Sequence, residues 1–381
     1  METYTVPKAQ DLERVPPFKT KSINACNRNI MITADNSSFG GIHPATAVTS
    51  HQHVLSNMIA ESLGSLPEAI DGNLQTDPTM LVQVGDQDVR LKPDFISVTR
   101  GPGMSAALST GLDTAKGLAL AWRIPLVGVH HMQAHALTPR LVHALESPGL
   151  KSAEPAFPFM SLLVSGGHTL LVQSESLCDH KVLASTVDIA VGDALDKIAR
   201  LVLPHEALRG KEIMYGRLLE WFAFHGRARR YLYRPPKDRA EEIAPRETKW
   251  GWALPVPLAD TKNMQFSFSG LGSAIKRICE SRSEKMSEAE RIDLAVEGMR
   301  VAFEHIATRV IRGVSGAQAT NQGIQSLVIS GGVASNGFLR MMYAHETILH
   351  EYLKSKLIFE QHEVFSGWPW IRKCPVGPTA G

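Results

Sequence analysis

FMSLLVSGGHTLLVQ, residues 159–173, sets an apolar run, then Ser165-Gly166-Gly167-His168, then a second apolar run. Two such runs about a four-residue polar turn read as a β-hairpin, and its glycines let backbone amides approach a phosphate closely. A Gly-Gly turn standing alone signals a turn and little else. This one is echoed downstream: residues 326–329 read as a strand, Gly331-Gly332 as its loop, and a helix is predicted from about Asn336. The N-terminal amides and dipole of that helix would favour an anion.

Upstream, residues 94–99 read as a buried strand, Gly101-Pro102-Gly103 as its turn and residues 105–122 as a helix rich in Ala and Leu. A second strand at 126–129 runs directly into His130-His131-Met132-Gln133-Ala134-His135. The alternation of short apolar runs, glycine turns and helical patterns points to an α/β architecture, in which ligands collect at the carboxyl ends of strands. His131 and His135 stand four residues apart, on one face of a helix, and could grip a single metal ion. In a chain with 15 His the same spacing also arises by chance.

Between the two glycine loops, residues 188–197 (DIAVGDALDK) read as a loop entering a helix. Asp193 and Asp196 fit an acidic first turn stabilised by the helix dipole, while a nearby ribose would instead give Asp196 a hydrogen-bonding task. Phe266-Ser267-Phe268-Ser269-Gly270-Leu271 opens another helical region. Ser287 with Glu290 has the spacing of a capping box, and residues 288–312 read as a long amphipathic helix with a structural role.

With 381 residues, 44% hydrophobic and 20% charged, the chain can bury a large core and is expected to form two domains or one bilobal unit. A net charge of +2 neither demands nor excludes nucleic acid, so a basic surface would have to be local. Arg227, Arg229, Arg230, Arg234, Lys237 and Arg239, around Tyr231 and Tyr233, form one candidate, readable as a solvated loop or as an RNA contact. Cys26, Cys178, Cys279 and Cys374 make no C-x-x-C pair, so a reducing compartment fits best. No apolar run reaches the roughly 18 residues that span a bilayer. Glu2, Asp11 and Glu13 among the first 29 residues match a transit peptide poorly.

Glycine-turn hairpins or strand-loop-helix units in successive lobes suggest the duplicated ribonuclease H-like, two-lobed architecture shared by actin, sugar kinases and heat-shock chaperones. A closer resemblance rests on seven segments: 32–44 (ITADNSSFGGIHP), 97–121 (SVTRGPGMSAALSTGLDTAKGLALA), 128–137 (GVHHMQAHAL), 162–171 (LLVSGGHTLL), 186–197 (TVDIAVGDALDK), 266–271 (FSFSGL) and 329–340 (ISGGVASNGFLR). In content and order the chain resembles the TsaD/Kae/OSGEP family of tRNA threonylcarbamoyladenosine synthases, and is most similar to its mitochondrial, fungal-type branch. The resemblance implies transfer of a threonylcarbamoyl group from threonylcarbamoyl-AMP to N6 of adenosine 37 in tRNAs reading codons that start with A, with release of AMP. It implies that His131 and His135 bind one divalent metal ion, iron or zinc. Leu163, Val164, Ser165, Gly166 and Gly167 would line the phosphate loop, and Asp196 and Asn336 would hold the adenylate. Implied partners are tRNA, an upstream threonylcarbamoyl-AMP synthase and a second copy of the chain; the implied location is the mitochondrion or otherwise the cytoplasm, with no membrane. No general base is assigned.

The expected division is an unmatched stretch 1–29, a first lobe 30–157, a second lobe 158–359 and an unmatched tail 360–381. The acidic hairpin that opens the family is not evident in residues 1–29, nor is the family's third, aspartate metal ligand in 360–381. An alternative gene model at both ends is the expectation for these departures. A Pro-Gly-Gly loop of many relatives is replaced after Leu203 by a segment with Tyr215-Gly216-Arg217 and Phe222-Ala223-Phe224. Two other classes fit less well: a weakened relative acting as a binding or dimerising partner, and a metallopeptidase. The last needs Glu directly after the first His of the pair, where this chain has Met132.

Overall fold

A computed structural model describes residues 44–68, 78–84, 88–146, 153–208, 214–228, 231–282, 286–319, 323–345, 356–359 and 372–373. The expectations for residues 1–43, for Arg229 and Arg230, for Cys374 and for most of 360–381 fall outside the described residues. By their contacts the residues divide into two units, Met1–His131 and Met132–Gly381.

The first unit holds helix α1 (Pro44–Leu63), strands β1 (Leu81–Val84), β2 (Asp88–Leu91) and β3 (Ile96–Gly101), helix α2 (Ser105–Trp122) and strand β4 (Leu126–His130). β1 and β2 pair antiparallel, and β3 and β4 pair parallel with Ile96 opposite Leu126. Helix α2 covers the residues predicted for it. It stops at Arg123, whose left-handed backbone (φ 56°) lets its own N–H reach the Leu120 carbonyl while the next N–H reaches that of Ala119.

Helix α3 (His131–Glu146) follows β4 without a break. The second unit continues with β5 (Phe159–Val164), β6 (Thr169–Ser174), β7 (His180–Thr186), α4 (Val191–Val202), α5 (His205–Leu208), α6 (Tyr215–Phe224), α7 (Arg239–Ile243), β8 (Gln265–Phe266), α8 (Ser269–Ser281), α9 (Glu288–Ala319), β9 (Ser326–Ser330), α10 (Gly337–His345), β10 (Lys356–Phe359) and β11 (Arg372–Lys373). One sheet takes the order β11-β10-β9-β5-β6-β7-β8. β5, β6 and β7 form an antiparallel meander, whereas β9 runs parallel to β5 and β10 parallel to β9.

Every residue of β5 is buried, which is why its sequence is apolar at every position but Ser161 and does not alternate. Met160, Leu162 and Val164 join Leu171, Leu327 and Ile329 in a core with α4, α6, α9 and α10. Leu163 and Val172 point the other way, onto Met132 of α3, and Phe159 and Val328 pack with Leu137. The period of two thus sends alternate side chains of each strand to opposite cores.

Helix α9 begins where the Ser287–Glu290 pair predicts, and the Glu290 N–H donates to Ser287 Oγ at 3.2 Å. The reciprocal half of a capping box is not formed. Glu290 Oε1 instead accepts from Trp252 Nε1 at 3.0 Å and from Arg282 Nη1 at 2.9 Å. The helix runs on past Arg312 to Ala319, because Val314 and Ala317 continue its buried stripe.

Candidate functional site

The hairpin turn closes through the Ser165 N–H, which donates to the His168 carbonyl at 2.9 Å, and the His168 N–H, which donates to Ser165 Oγ at 3.0 Å. Gly166 and Gly167 are exposed at its tip, while Leu163 and Val164 are buried strand residues that offer the turn only backbone. Helix α4 is brought against this turn. The Val191 N–H donates to the buried Thr169 Oγ1 at 2.8 Å, and the Gly192 N–H to the Ser165 carbonyl at 3.1 Å. A Cβ on Gly192 would lie 2.7 Å from both Gly166 N and Ser165 O, so only glycine permits this approach.

The second glycine loop meets the same strand end. Gly331 has φ 98°, and a Cβ there would collide with the Val164 carbonyl. A one-turn 3₁₀ segment, Gly332–Ser335, leads to Asn336, which is 6% exposed. Asn336 Oδ1 accepts from the N–H groups of Phe338 and Leu339, each at 3.0 Å, and so caps the N-terminus of α10. The turn 165–168, the start of α4 and the loop 331–336 therefore converge at the carboxyl ends of the parallel strands β5 and β9.

Helix α6, in the segment that the sequence marks as a replacement, ties this convergence together. The Gly216 N–H donates to Asp196 Oδ1 at 2.8 Å, and Glu220 Oε1 accepts from the Gly337 N–H at 2.8 Å. Burial pushes both carboxyls upward, and the backbone donors hold part of that shift back. Asp193 makes the first-turn ion pair, at 2.9 Å to Lys197. The sequence marks Gly216 only as part of the replacement segment and leaves Glu220 without a role, because their partners lie 20 and 117 residues away along the chain.

Asp188 is a third group left unassigned. It accepts from Ile189 N (2.6 Å), Ser267 Oγ (2.7 Å), Phe268 N (3.0 Å), Ser269 N (3.1 Å) and Ser269 Oγ (2.6 Å). Desolvation would raise its carboxyl, yet the hydrogen bonds from Ser269, Ser267, Phe268 and Ile189 outweigh it and hold the group well below the usual carboxylate range. This one side chain fastens the FSFSGL segment to the loop that enters α4.

His131 is the first residue of α3 and His135 follows one turn later, both half-buried. The pair therefore stands at the carboxyl end of β4, as the sequence predicts. Among the described residues no third His, Cys, Asp or Glu joins them in a group able to hold a metal ion. Two imidazoles one turn apart still have the donor chemistry and spacing for two ligands of such an ion. Gln133 lies between them, and its Nε2 donates to the Leu177 carbonyl at 2.6 Å, a bond that a glutamate, having only acceptors, would not make.

Comparison with known proteins covers most of this framework. A family model described as TsaD, tRNA N6-adenosine threonylcarbamoyltransferase, matches residues 84–357. A Schizosaccharomyces pombe protein named mitochondrial tRNA N6-adenosine threonylcarbamoyltransferase is 33% identical over 337 residues, 86% of this chain and 68% of its own. A Methylorubrum populi protein named tRNA N6-adenosine threonylcarbamoyltransferase is 33% identical over 317 residues, 82% of this chain and 73% of its own.

Proposed function

The chain belongs to the tRNA N6-adenosine threonylcarbamoyltransferase family, and from that premise we propose that it transfers a threonylcarbamoyl group from threonylcarbamoyl-AMP to N6 of adenosine 37 in tRNAs reading codons that start with A. The adenosine amine forms a C–N bond to the carbamoyl carbon, the bond from that carbon to the phosphate oxygen breaks, and AMP leaves with the electron pair. The amine proton passes to solvent. The observation that carries this reading is the convergence of the 165–168 turn, the start of α4 and the 331–336 loop within one unit.

In this reading the backbone amides of the turn at Gly166 and Gly167 stabilise the charge that gathers on the departing phosphate. Asp196, steadied by Gly216, holds the ribose. Asn336 serves the adenylate through the loop it fixes, since its Oδ1 is already committed to the first turn of α10. The substrate anhydride is activated in advance, so positioning the amine supplies much of the acceleration. His131 and His135 would contribute two ligands to one divalent ion, iron or zinc, and such an ion supplies a Lewis acid when bound.

The duplicated ribonuclease H-like architecture, with lobes at 30–157 and 158–359, belongs to the same proposal. For the second lobe its support is the meander β7-β6-β5 continued by the parallel strands β9 and β10. A mitochondrial location, a second copy as partner and an upstream synthase of threonylcarbamoyl-AMP complete it. The first of these draws on similarity to the fission-yeast protein. Among the described residues no helix is long and apolar enough to cross a membrane.

Incubation of the metal-loaded protein with threonylcarbamoyl-AMP and unmodified tRNA should yield N6-threonylcarbamoyladenosine, detected by mass spectrometry of the digested tRNA. No product from folded, metal-loaded protein would contradict the reading. In the same assay His131→Ala should lower bound metal and product together, and unchanged turnover after loss of metal would count against the ion.

A further inference from the structure

Helix α6 buries one face and leaves the other bare. Tyr215, Leu219, Phe222 and Ala223 are buried, whereas Met214, just before the helix, is 55% exposed and Trp221 is 61% exposed. Arg217 and His225 are exposed as well, which spaces the four residues at intervals of three, four and four, one continuous stripe. The indole of Trp221 leans on the His225 ring, centroids 5.4 Å apart at 49°, and its only ring partner among the described residues is that histidine. Tryptophan carries one of the largest apolar surfaces of any side chain, so leaving it on a solvent face sacrifices burial that the fold takes elsewhere.

The charge around the stripe is one-sided. Arg227 is exposed two residues beyond His225, and the sequence continues with Arg229 and Arg230. Arg200 lies over the Tyr215 ring at 4.9 Å, at the start of the same helix. Of the acids nearby, Asp193 is paired with Lys197, Asp196 accepts from the Gly216 N–H, and Glu220 accepts from the Gly337 N–H with Arg340 and Arg217 around it, so Arg227 is the exposed cation beside the stripe that pairs with none of them. An exposed indole flanked by guanidinium groups is the surface that single-stranded nucleic acid fits, with a base stacked on the ring and phosphates on the cations. Position strengthens the argument. Gly216, at the head of the helix, holds Asp196 of the candidate adenylate site, and at about 1.5 Å per residue Trp221 lies only some 7–8 Å along the axis.

We propose that the exposed face of α6 binds the anticodon-loop RNA beside the target adenosine, with an unstacked base on Trp221 and phosphates on Arg217 and Arg227. The inference rests on the transferase reading and adds a contact surface to it. The test uses the full chain, unmodified tRNA and, in parallel, AMP. Trp221→Ala should weaken tRNA binding by about 10-fold with AMP binding unchanged, and Trp221→Tyr should restore most of the loss, because a second ring can stack. Arg227→Gln should flatten the dependence of log affinity on log salt by about one unit. If wild-type protein binds tRNA and makes product while Trp221→Ala and Arg227→Gln bind tRNA as it does, the surface is wrong and the transferase reading stands. If wild type neither binds tRNA nor makes product, both fall. Loss of a protein partner from Trp221→Ala with tRNA binding intact would also overturn the assignment to RNA.

Discussion

His305 is a histidine kept neutral by its surroundings. It is 2% exposed, and burial, reinforced by the neighbouring Arg309 guanidinium, lowers its pKa to about 3. The imidazole then has a fixed use: Nε2 accepts from the Ser267 N–H at 3.1 Å, while the rings of Phe266 and Phe268 stand edge-on to it. His305 and Asp188 thus both hold the stretch 266–269, meeting at Ser267 and Phe268. A histidine with a folded-state pKa below that of the unfolded chain, about 6.5, takes up its proton first in the unfolded state. Its contribution to stability is therefore complete above about pH 6.5 and is lost as pH falls towards 3, by at most about 1.4 kcal/mol per pH unit. The melting temperature should drop between pH 7 and pH 5, and His305→Gln should reduce that slope. A variant with the wild-type slope would contradict the assignment. None of this is legible from the sequence, where His305 is one of 15 histidines and its partner loop lies 38 residues away.

At the level of elements, what could be read depended on whether the signal was local. β5 was legible to the residue because burial on both faces writes itself as a run that is apolar at every position but Ser161. β3 starts two residues after its predicted beginning and ends at Gly101, since Asp94 and Phe95 lead into it without pairing. The extension of α9 beyond Arg312 was hidden by Gly313, Ser315 and Gly316, which dilute an apolar stripe that packing nevertheless sustains. The contact of α4 with the hairpin turn is a long-range fact that no window of sequence contains, yet it makes a sharp demand on Gly192. A side chain there would meet Gly166 and Ser165 backbone, which cannot swing aside as a flexible side chain would. Gly192→Val should cost about 1–3 kcal/mol of stability and weaken AMP binding at least about 10-fold, as read by thermal melts and calorimetric titration. Undiminished AMP affinity in that variant would separate the glycine turn from nucleotide binding.

Over the whole molecule, the readable residues are those that carry their own local signature: the two glycine loops and the acidic start of α4 in one unit and, separately, the histidine pair at the end of β4. The fasteners around the glycine loops and α4 were not readable. Gly216, Glu220 and Asp188 each act on a partner 20 to 117 residues distant, and polar groups with such partners look like ordinary surface residues in sequence. The mixed α/β fold itself was legible because strand-forming runs and helical patterns alternate along most of the chain. The central claim concerns what this framework transfers and to where. It is tested most directly by measuring AMP release and modified nucleoside in one reaction, with tRNA carrying adenosine at position 37 and with tRNA carrying guanosine there. The account predicts one AMP for each N6-threonylcarbamoyladenosine formed on the first tRNA and neither product above background with the second. AMP released at the same rate on both, with no modified adenosine, would contradict it and mark the protein as a hydrolase of the adenylate.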